Sequence, residues 1–131
     1  DVLATRAEPR TTRIGDLSER SLTIVRAGLK RVVEDPRGTG YKRIRLPGIA
    51  IAGKTGTAEV GGDLEDHAWF AGYVPANQPR LAFVVVLEHA GSGGRKAGPV
   101  ARKLVQSIQA SGLITIANTT ARLPVADKAV P

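Results

Sequence analysis

Residues 48–59 of the chain read GIAIAGKTGTAE, and the segment changes character halfway along. Residues 49–52 alternate small and branched apolar side chains, which is typical of a strand packed closely on both faces. The residues that follow place the cation of Lys54 and the hydroxyls of Thr55 and Thr57 among glycines, a composition too polar for a core strand. We therefore predict a strand whose second half lines a cleft.

The same letters satisfy a second pattern, the phosphate loop Gly-x-x-x-x-Gly-Lys-Thr, over residues 48–55. That loop follows an apolar strand and opens a helix, so that phosphate lies at the helix N-terminus. Here Leu46-Pro47 precedes the first glycine, and Gly56 with Gly61-Gly62 follows where the helix should begin. The context favours a strand, and the phosphate loop stays an alternative.

Two amphipathic helices are predicted from apolar side chains at helical spacing. The first runs from Ser18 to Glu34 with Ser18 as its N-cap, and the second from Ala97 to Ala110 with Pro99 in its first turn. The residues expected on the buried faces are Leu22, Val25, Leu29, Val32 and Val33 in the first helix and Ala101, Leu104, Val105 and Ile108 in the second. The basic residues expected on the solvated face of the first helix are Arg20, Arg26, Lys30 and Arg31.

Further strands are predicted on both sides of the central segment. Tyr41 to Leu46 alternates basic and apolar residues, His67 to Val74 alternates after a loop, and Leu81 to Leu87 is almost continuously apolar. Trp69 and Phe70 would point to opposite faces of their strand. Because consecutive strands joined by short turns pair antiparallel, we expect an α+β fold with an antiparallel sheet of roughly three to five strands flanked by the helices.

The motif at Lys54 belongs to a longer pattern. Residues 52–58, AGKTGTA, followed by residues 66–75, DHAWFAGYVP, closely resemble class B penicillin-binding proteins, particularly those of the elongation or rod-shape type. Residues 38–40, GTG, and 98–101, GPVA, are similar to the same family, so the resemblance covers roughly residues 15–112. It implies the C-terminal part of a transpeptidase domain, with a partial penicillin-binding, β-lactamase-like fold.

The resemblance also implies a reaction. In that family a serine of a Ser-x-x-Lys motif attacks the D-Ala-D-Ala peptide bond, an amine of a second stem peptide resolves the acyl-enzyme, and a Ser-x-Asn motif completes the proton path. None of the five serines of this chain has Lys three residues on or Asn two residues on. Ser92 has Arg95, whose guanidinium stays protonated and cannot act as a base. The chain is thus expected to lack the nucleophile and to be inactive alone.

Four residues are carried over from the family motif. Lys54 would face the Ser-x-Asn serine and the substrate carboxylate, the hydroxyls of Thr55 and Thr57 would bind that carboxylate, and the Thr57 N–H would be an oxyanion-hole donor. Gly56, like Gly53 before the motif, would permit close backbone approach. The expected catalytic residues are Lys54 and Thr57, within a substrate-binding set of residues 54–57, and no cofactor is expected.

The partners implied by the resemblance are peptidoglycan stem peptides, β-lactams, the remainder of the transpeptidase domain and other cell-wall elongation proteins. The parent protein would be anchored in the bacterial cytoplasmic membrane with its catalytic domain on the extracytoplasmic side. Two other functions stay open, a non-catalytic binding module that retains the carboxylate-recognition strand and a fragment of a β-lactamase-like hydrolase.

The length and composition of the chain limit its possible domain organisation, site types and partners. A chain of 131 residues is long enough for one domain, which we divide into an extended lead-in (1–16), the transpeptidase portion (17–112) and a loosely ordered tail (113–131). The absence of cysteine excludes disulfides and thiolate metal sites, and the absence of methionine predicts that the chain is part of a longer protein. The net charge of +7 would suit nucleic acid, but only Tyr41 supplies an aromatic ring within the basic clusters, so we expect no nucleic-acid partner.

The two histidines are candidate metal ligands. His67 has acidic neighbours at positions 63, 65 and 66, but these lie on an open hairpin loop with no second histidine close in sequence. His89 is expected alone at a strand end. We therefore expect no metal site.

Overall fold

The structure is a computed structural model that describes residue 12 and residues 15–114. Its elements, in chain order, are α1 (Glu19–Glu34), α2 (Tyr41–Ile44), β1 (Ala52–Ala58), β2 (His67–Val74), β3 (Leu81–Leu87) and α3 (Gly93–Ala110). The predicted lead-in falls almost wholly outside the described residues, as does the predicted tail after residue 114. No helix within residues 15–114 is long and apolar enough to cross a membrane.

The strands form one antiparallel sheet in the order β1-β2-β3, which confirms the predicted fold class. The bounds of β2 and β3 are those that the sequence predicts, because each apolar run ends at turn residues. The register aligns Thr55 with Phe70 and Val85, whereas Lys54 aligns with Ala71 and Val84. Since aligned residues share a face and successive residues alternate, these two sets lie on opposite faces.

We call the face that carries Phe70 and Val85 the inner face, and the face that carries Trp69, Val84 and Val86 the outer face. The inner face holds the core, where Phe70 is 0% exposed, and α3 packs against all three strands. Trp69 is 38% exposed, so the two neighbouring aromatic residues do point to opposite faces as predicted. The other buried members of the core cluster include Val33, Ile44, Ile51, Ala68, Val74, Ala97, Ala101, Val105, Ile108 and Ile114.

Helix α1 has the predicted bounds. Ser18 accepts a hydrogen bond from the backbone N–H of Ser21 at 3.1 Å, which satisfies one of the free donors of the first turn. The helix ends before Asp35, and the following Pro36 cannot continue it.

The burial of α1 is less uniform than its apolar period suggests. Val33 is buried where α1 packs against β1, but Val25, expected on the same buried face, is 57% exposed. Lys30, expected on the solvated face, is half-buried and donates a hydrogen bond to the side-chain oxygen of Asn77 at 2.9 Å. The C-terminal half of the helix is therefore the half held to the sheet.

Helix α3 begins at Gly93, not at the predicted Ala97. Pro99 consequently lies inside the helix and not in its first turn, and the prediction for it is wrong. Leu104, expected on the buried face, is exposed, whereas the other three residues expected there are buried.

The early start of α3 comes from tertiary packing. Glycines disfavour a helix in isolation, and residues 93 and 94 are both glycine. Gly93 is nevertheless buried, and a Cβ there would overlap the carbonyl oxygens of Gly56 and Trp69. Because only glycine can approach the sheet this closely, Gly93 fixes the start of the helix against β1 and β2.

The predicted strand over Tyr41–Leu46 is wrong, because residues Tyr41–Ile44 form the single helical turn α2. The backbone N–H groups of Arg43 and Ile44 donate to the carbonyl oxygen of Gly40 at 3.1 and 2.8 Å. This turn directs Ile44 into the core, where it is fully buried. The six residues 41–46 fit the apolar period of either a strand or a helix, because the segment is so short. The burial of Ile44 favours the helical conformation.

The central strand starts later than predicted. Pro47 and Gly48 form a turn, in which Gly48 has a φ of 82°, and an isolated bridge joins Leu46 to Ile49 across it. Residues 50 and 51 lead from this bridge into the strand. The strand then continues through Lys54 and Thr55, where a phosphate loop would open a helix. The structure therefore excludes the phosphate-loop alternative.

Candidate active site on the edge strand

The four predicted site residues lie in the middle of β1, which pairs with β2 on one side and has no strand partner on the other side within the described residues. Alternation places Thr55 and Thr57 on the inner face, beyond the part of it that the core fills. Lys54 starts from the outer face. The motif thus contributes hydroxyls to one side of the sheet and an ammonium group to the other.

Thr57 is held by the beginning of α3. The backbone N–H of Gly93 donates to Oγ1 of Thr57 at 3.3 Å. Because a hydroxyl that accepts one hydrogen bond keeps its own proton, Thr57 remains able to donate to a ligand. The close packing of Gly93 on β1 is what brings its N–H within reach.

Thr55 is held from the opposite direction. Its Oγ1 lies 2.9 Å from Oγ1 of Thr39, which belongs to the loop between α1 and α2. The loop is fixed to the end of α1, since the N–H of Gly40 donates to the carbonyl oxygen of Val32 at 2.9 Å. Each threonine hydroxyl of the motif therefore has one partner outside the strand.

The ammonium group of Lys54 is exposed and donates to the carbonyl oxygen of Thr55 at 2.6 Å. It makes no ion pair with a carboxylate in the described part of the chain. The side chain lines two cavities, and Thr39 lines both of them as well. An unneutralised cation at this position can interact with an anionic ligand entering either cavity.

The first cavity has a volume of about 470 Å³ and lies between β1, α2 and the start of α3. It contains three cations, Lys54, Arg43 and Arg95, and none of its lining residues is acidic. Its remaining lining residues are Thr39, Thr55, Gly56, Thr57, Ser92 and Gly94. Hydroxyl donors beside three cations that make no ion pair within residues 15–114 form a site suited to a carboxylate.

The second cavity also measures about 470 Å³ and borders α1. Here Asp35 faces two guanidinium groups, with Arg37 at 3.2 Å and Arg31 at 3.3 Å. Hydrogen bonds from the side chain and backbone of Arg37 hold the pKa of Asp35 well below its ordinary value, with a smaller contribution from Arg31. The positive charge of this cavity is thus partly neutralised, unlike that of the first cavity.

The histidines form a pair. The N–H of His89 donates to Nδ1 of His67 at 3.0 Å, and the ring centroids are 4.7 Å apart. The expectation that His89 is alone at a strand end is therefore wrong. Within residues 15–114, no group of three or more His, Cys, Asp or Glu side chains is placed to hold a metal ion.

The structure places Lys54, Thr55, Gly56 and Thr57 along the first cavity, and the roles inferred for them stay predictions. It adds residues to which the sequence assigned no role in this site. Their only signal in the sequence is indirect, since Thr39 lies in the GTG segment at 38–40 that resembles the family, and Ser92 with Arg95 only approximates the Ser-x-x-Lys spacing. The added residues are Thr39, Arg43, Ser92, Gly93 and Arg95.

Comparison with known proteins gives consistent matches. Residues 2–106 match the family described as the penicillin binding protein transpeptidase domain. Peptidoglycan D,D-transpeptidase MrdA of Haemophilus influenzae is 38% identical over 92 residues, which are 60% of this chain and 14% of that protein. Peptidoglycan D,D-transpeptidase PbpA of Mycobacterium tuberculosis is 32% identical over 91 residues, 63% of this chain and 18% of that protein.

Solved structures agree with these matches. PBP2 of Pseudomonas aeruginosa, in complex with WCK 5153, is similar with a TM-score of 0.61 and 38% identity over 67% of this chain and 19% of that one. PBP2 of Helicobacter pylori gives a TM-score of 0.65 and 30% identity over 72% of this chain and 17% of that one. The chain spans less than a fifth of the length of each of these relatives. It belongs to the penicillin-binding protein transpeptidase domain family and resembles, as the sequence predicts, the members of the elongation type.

Proposed function

We propose that this chain is the part of a D-Ala-D-Ala transpeptidase that carries the K-T-G strand, in an enzyme that cross-links peptidoglycan through an acyl-serine intermediate and binds penicillin. The observation that carries the proposal is the arrangement of Lys54, Thr55 and Thr57 around a cationic cavity on an edge strand. Membership of the transpeptidase family supports it.

The proposed task of the strand is to hold the terminal carboxylate of a stem peptide or the corresponding carboxylate of a β-lactam. Thr57 accepts from Gly93, so its proton is available to the ligand. Lys54 adds a charge-assisted contact, and such contacts are stronger than neutral ones. The N–H of Thr57 would serve as an oxyanion-hole donor, a role worth on the order of 3 kcal/mol of transition-state stabilisation in hydrolases.

The nucleophile has to come from the rest of the enzyme. No serine of the chain has the neighbouring lysine that would activate it. The outer face offers a place for that remainder, because its apolar residues Trp69, Val84 and Val86 are uncovered in the described chain. A second part of the domain that covers this face would bring a serine to the edge of β1 beside Lys54.

We further propose that the parent enzyme is anchored in the bacterial cytoplasmic membrane with this domain outside it, and that it works with other cell-wall elongation proteins. The support is by relationship alone. A Helicobacter pylori PBP2 structure in complex with MreC is similar to this chain, with a TM-score of 0.66 and 30% identity over 72% of this chain and 18% of that one.

The proposal is tested with a chimera in which the matching segment of the Haemophilus transpeptidase is replaced by residues of this chain. The chimera and the isolated chain are incubated with a fluorescent penicillin and run on a denaturing gel. We expect a labelled band for the chimera and none for the isolated chain. Lys54→Ala should slow labelling of the chimera by about 10²-fold or more, because the carboxylate and the proton path both lose a cation.

The matched control is Lys103→Ala, since Lys103 is exposed on α3 and does not line either cavity. This variant should label at the rate of the unmodified chimera. Labelling of the isolated chain would contradict the missing nucleophile. A chimera that folds, judged by its circular dichroism and melting temperature, but is not labelled would contradict the transpeptidase proposal and favour a non-catalytic binding module.

A further inference from the structure

We propose that Thr39 is a positioning residue for the carboxylate site, which sets Thr55 as a hydrogen-bond donor toward the ligand. The inference rests on the proposed function. It identifies the residue that orients the hydroxyl of Thr55, one of the two threonine hydroxyls proposed to bind the carboxylate. Thr39 lies 16 positions before Thr55 in the sequence, yet the two Oγ1 atoms are 2.9 Å apart.

The loop that carries Thr39 is held rigidly against α1. The N–H of Gly38 donates to the carbonyl oxygen of Asp35 at 2.7 Å, and that of Gly40 donates to Val32 at 2.9 Å. A Cβ on Gly38 would overlap the carbonyl oxygens of Arg31 and Val32, so the loop lies directly on the helix end. Thr39 between these two glycines is therefore presented to β1 from a fixed support.

The direction of the hydrogen bond decides what Thr55 can do. A hydroxyl has a single proton, so a Thr55 that donates to Thr39 has none left for a carboxylate. If Thr39 donates instead, Thr55 accepts and its own proton points into the cavity. An anion in the cavity favours this second arrangement, because a chain of donors aligned toward a negative charge strengthens each bond in it.

Thr57 shows the same arrangement with a different donor. Its hydroxyl accepts from the backbone N–H of Gly93, a donor whose direction cannot reverse. With Thr39 as the donor, both hydroxyls of the motif accept a hydrogen bond from outside β1, one from the start of α3 and one from the loop after α1. Only the donor to Thr55 is a side chain, and so only that one can be removed by substitution.

The test compares Thr39→Val, which keeps the shape and removes the hydroxyl, with Thr39→Ser, which keeps the hydroxyl. In the chimera described above, we expect Thr39→Val to weaken formation of the reversible complex with fluorescent penicillin by roughly three- to tenfold, with a smaller effect on the acylation step, as expected for one hydrogen bond to a charged group. Thr39→Ser should restore binding to within about twofold of the parent. Thr23→Val is the matched control, since Thr23 bonds only the backbone of its own helix at Glu19.

A second readout uses the 131-residue chain itself. Its Thr55 amide and methyl resonances are followed by NMR during titration with N-acetyl-D-alanyl-D-alanine. The half-saturating concentration should rise for Thr39→Val by the same factor and stay unchanged for Thr39→Ser and Thr23→Val. This measurement does not depend on assembly with the rest of an enzyme.

Two results would overturn the role of Thr39. One is Thr39→Val binding like the parent in both experiments, and the other is Thr39→Ser being as defective as Thr39→Val. Results that contradict the proposed function can be told apart from these. In that case the folded parent chimera would not be labelled, or the Lys54→Ala chimera would be labelled at the normal rate.

Discussion

The inner and outer faces of the sheet are built from the same three strands but differ in how far their apolar side chains are exposed to solvent. On the inner face, Phe70 is 0% exposed beneath α3. On the outer face, Val84 is 58% exposed, although it is as apolar as its buried neighbour Val85. Within residues 15–114, the inner face is therefore covered, whereas apolar side chains of the outer face are exposed, as an interaction surface would be.

The boundary between the two faces runs along β1. Thr55 and Thr57 belong to the inner face and are fixed by elements of this chain, whereas Lys54 starts from the outer face. The hydroxyl half of the proposed carboxylate site can thus form in this chain alone, and the remaining half depends on what covers the outer face.

The largest expected effect is on the inner face. Phe70→Ala should lower the free energy of unfolding by about 3–5 kcal/mol, because it leaves a cavity in a packed core. Trp69→Ala, one residue away but on the outer face, should cost less, about 1–2 kcal/mol, because its side chain is 38% exposed. Urea unfolding followed by circular dichroism measures both values, and similar losses for the two variants would break the distinction between the faces.

A charge on the outer face should leave folding of the isolated chain almost unchanged but prevent its packing against the rest of the enzyme. Val84→Asp should change the free energy of unfolding of the isolated chain by about 1 kcal/mol or less, since the side chain is exposed there. In the chimera the same carboxylate would be buried in an apolar contact, and we expect labelling by fluorescent penicillin to be lost.

The matched control for Val84→Asp is Gln78→Asp, in the exposed turn between β2 and β3. It introduces the same charge outside the outer face and should leave both measurements unchanged. If Val84→Asp labels as well as this control, the outer face is not where the remainder of the domain binds.

The smallest expected effect concerns the cavity beside α1. The pKa of Asp35 is depressed by Arg37 and Arg31, so its ion pairs stabilise the folded chain above the ordinary carboxyl pKa of 3.8 and are lost as the pH falls through the depressed value. Asp35→Asn should therefore flatten the decline in the free energy of unfolding below about pH 4.

The control for this titration is Asp63→Asn, on the exposed loop between β1 and β2. It should leave the pH dependence as it is in the parent chain. If the free energy of unfolding falls equally steeply with pH in Asp35→Asn and in the parent, the ion pairs at Asp35 do not contribute to stability. Exposed ion pairs often contribute nothing measurable.

The sequence predicted those elements whose period extends over several turns or pleats. Helix α1 and strands β2 and β3 have long apolar patterns bounded by proline or turn residues, and their bounds are confirmed. The failures are short or rich in glycine. Helix α2 is a single turn, and the start of α3 at Gly93 depends on contact with the sheet, which no local pattern records.

The residues of the candidate site also fall into a group that the sequence could predict and a group that it could not. Lys54 to Thr57 are contiguous, so a motif could find them. Thr39, Arg43 and Arg95 come from three other parts of the chain and meet at the cavity only through the packing of α2 and α3. Their relation to the motif could not be predicted without the fold.

The single-sided pairing of β1 has one more consequence, for solubility. An edge strand offers unpaired backbone groups to any other strand, including the same edge of a second molecule. Two β1 edges brought together would also bring together two Lys54 ammonium groups, each without a carboxylate partner in the described chain. We expect their repulsion to oppose edge-to-edge association, so that the lysine proposed to attract the substrate would also protect this edge from aggregation.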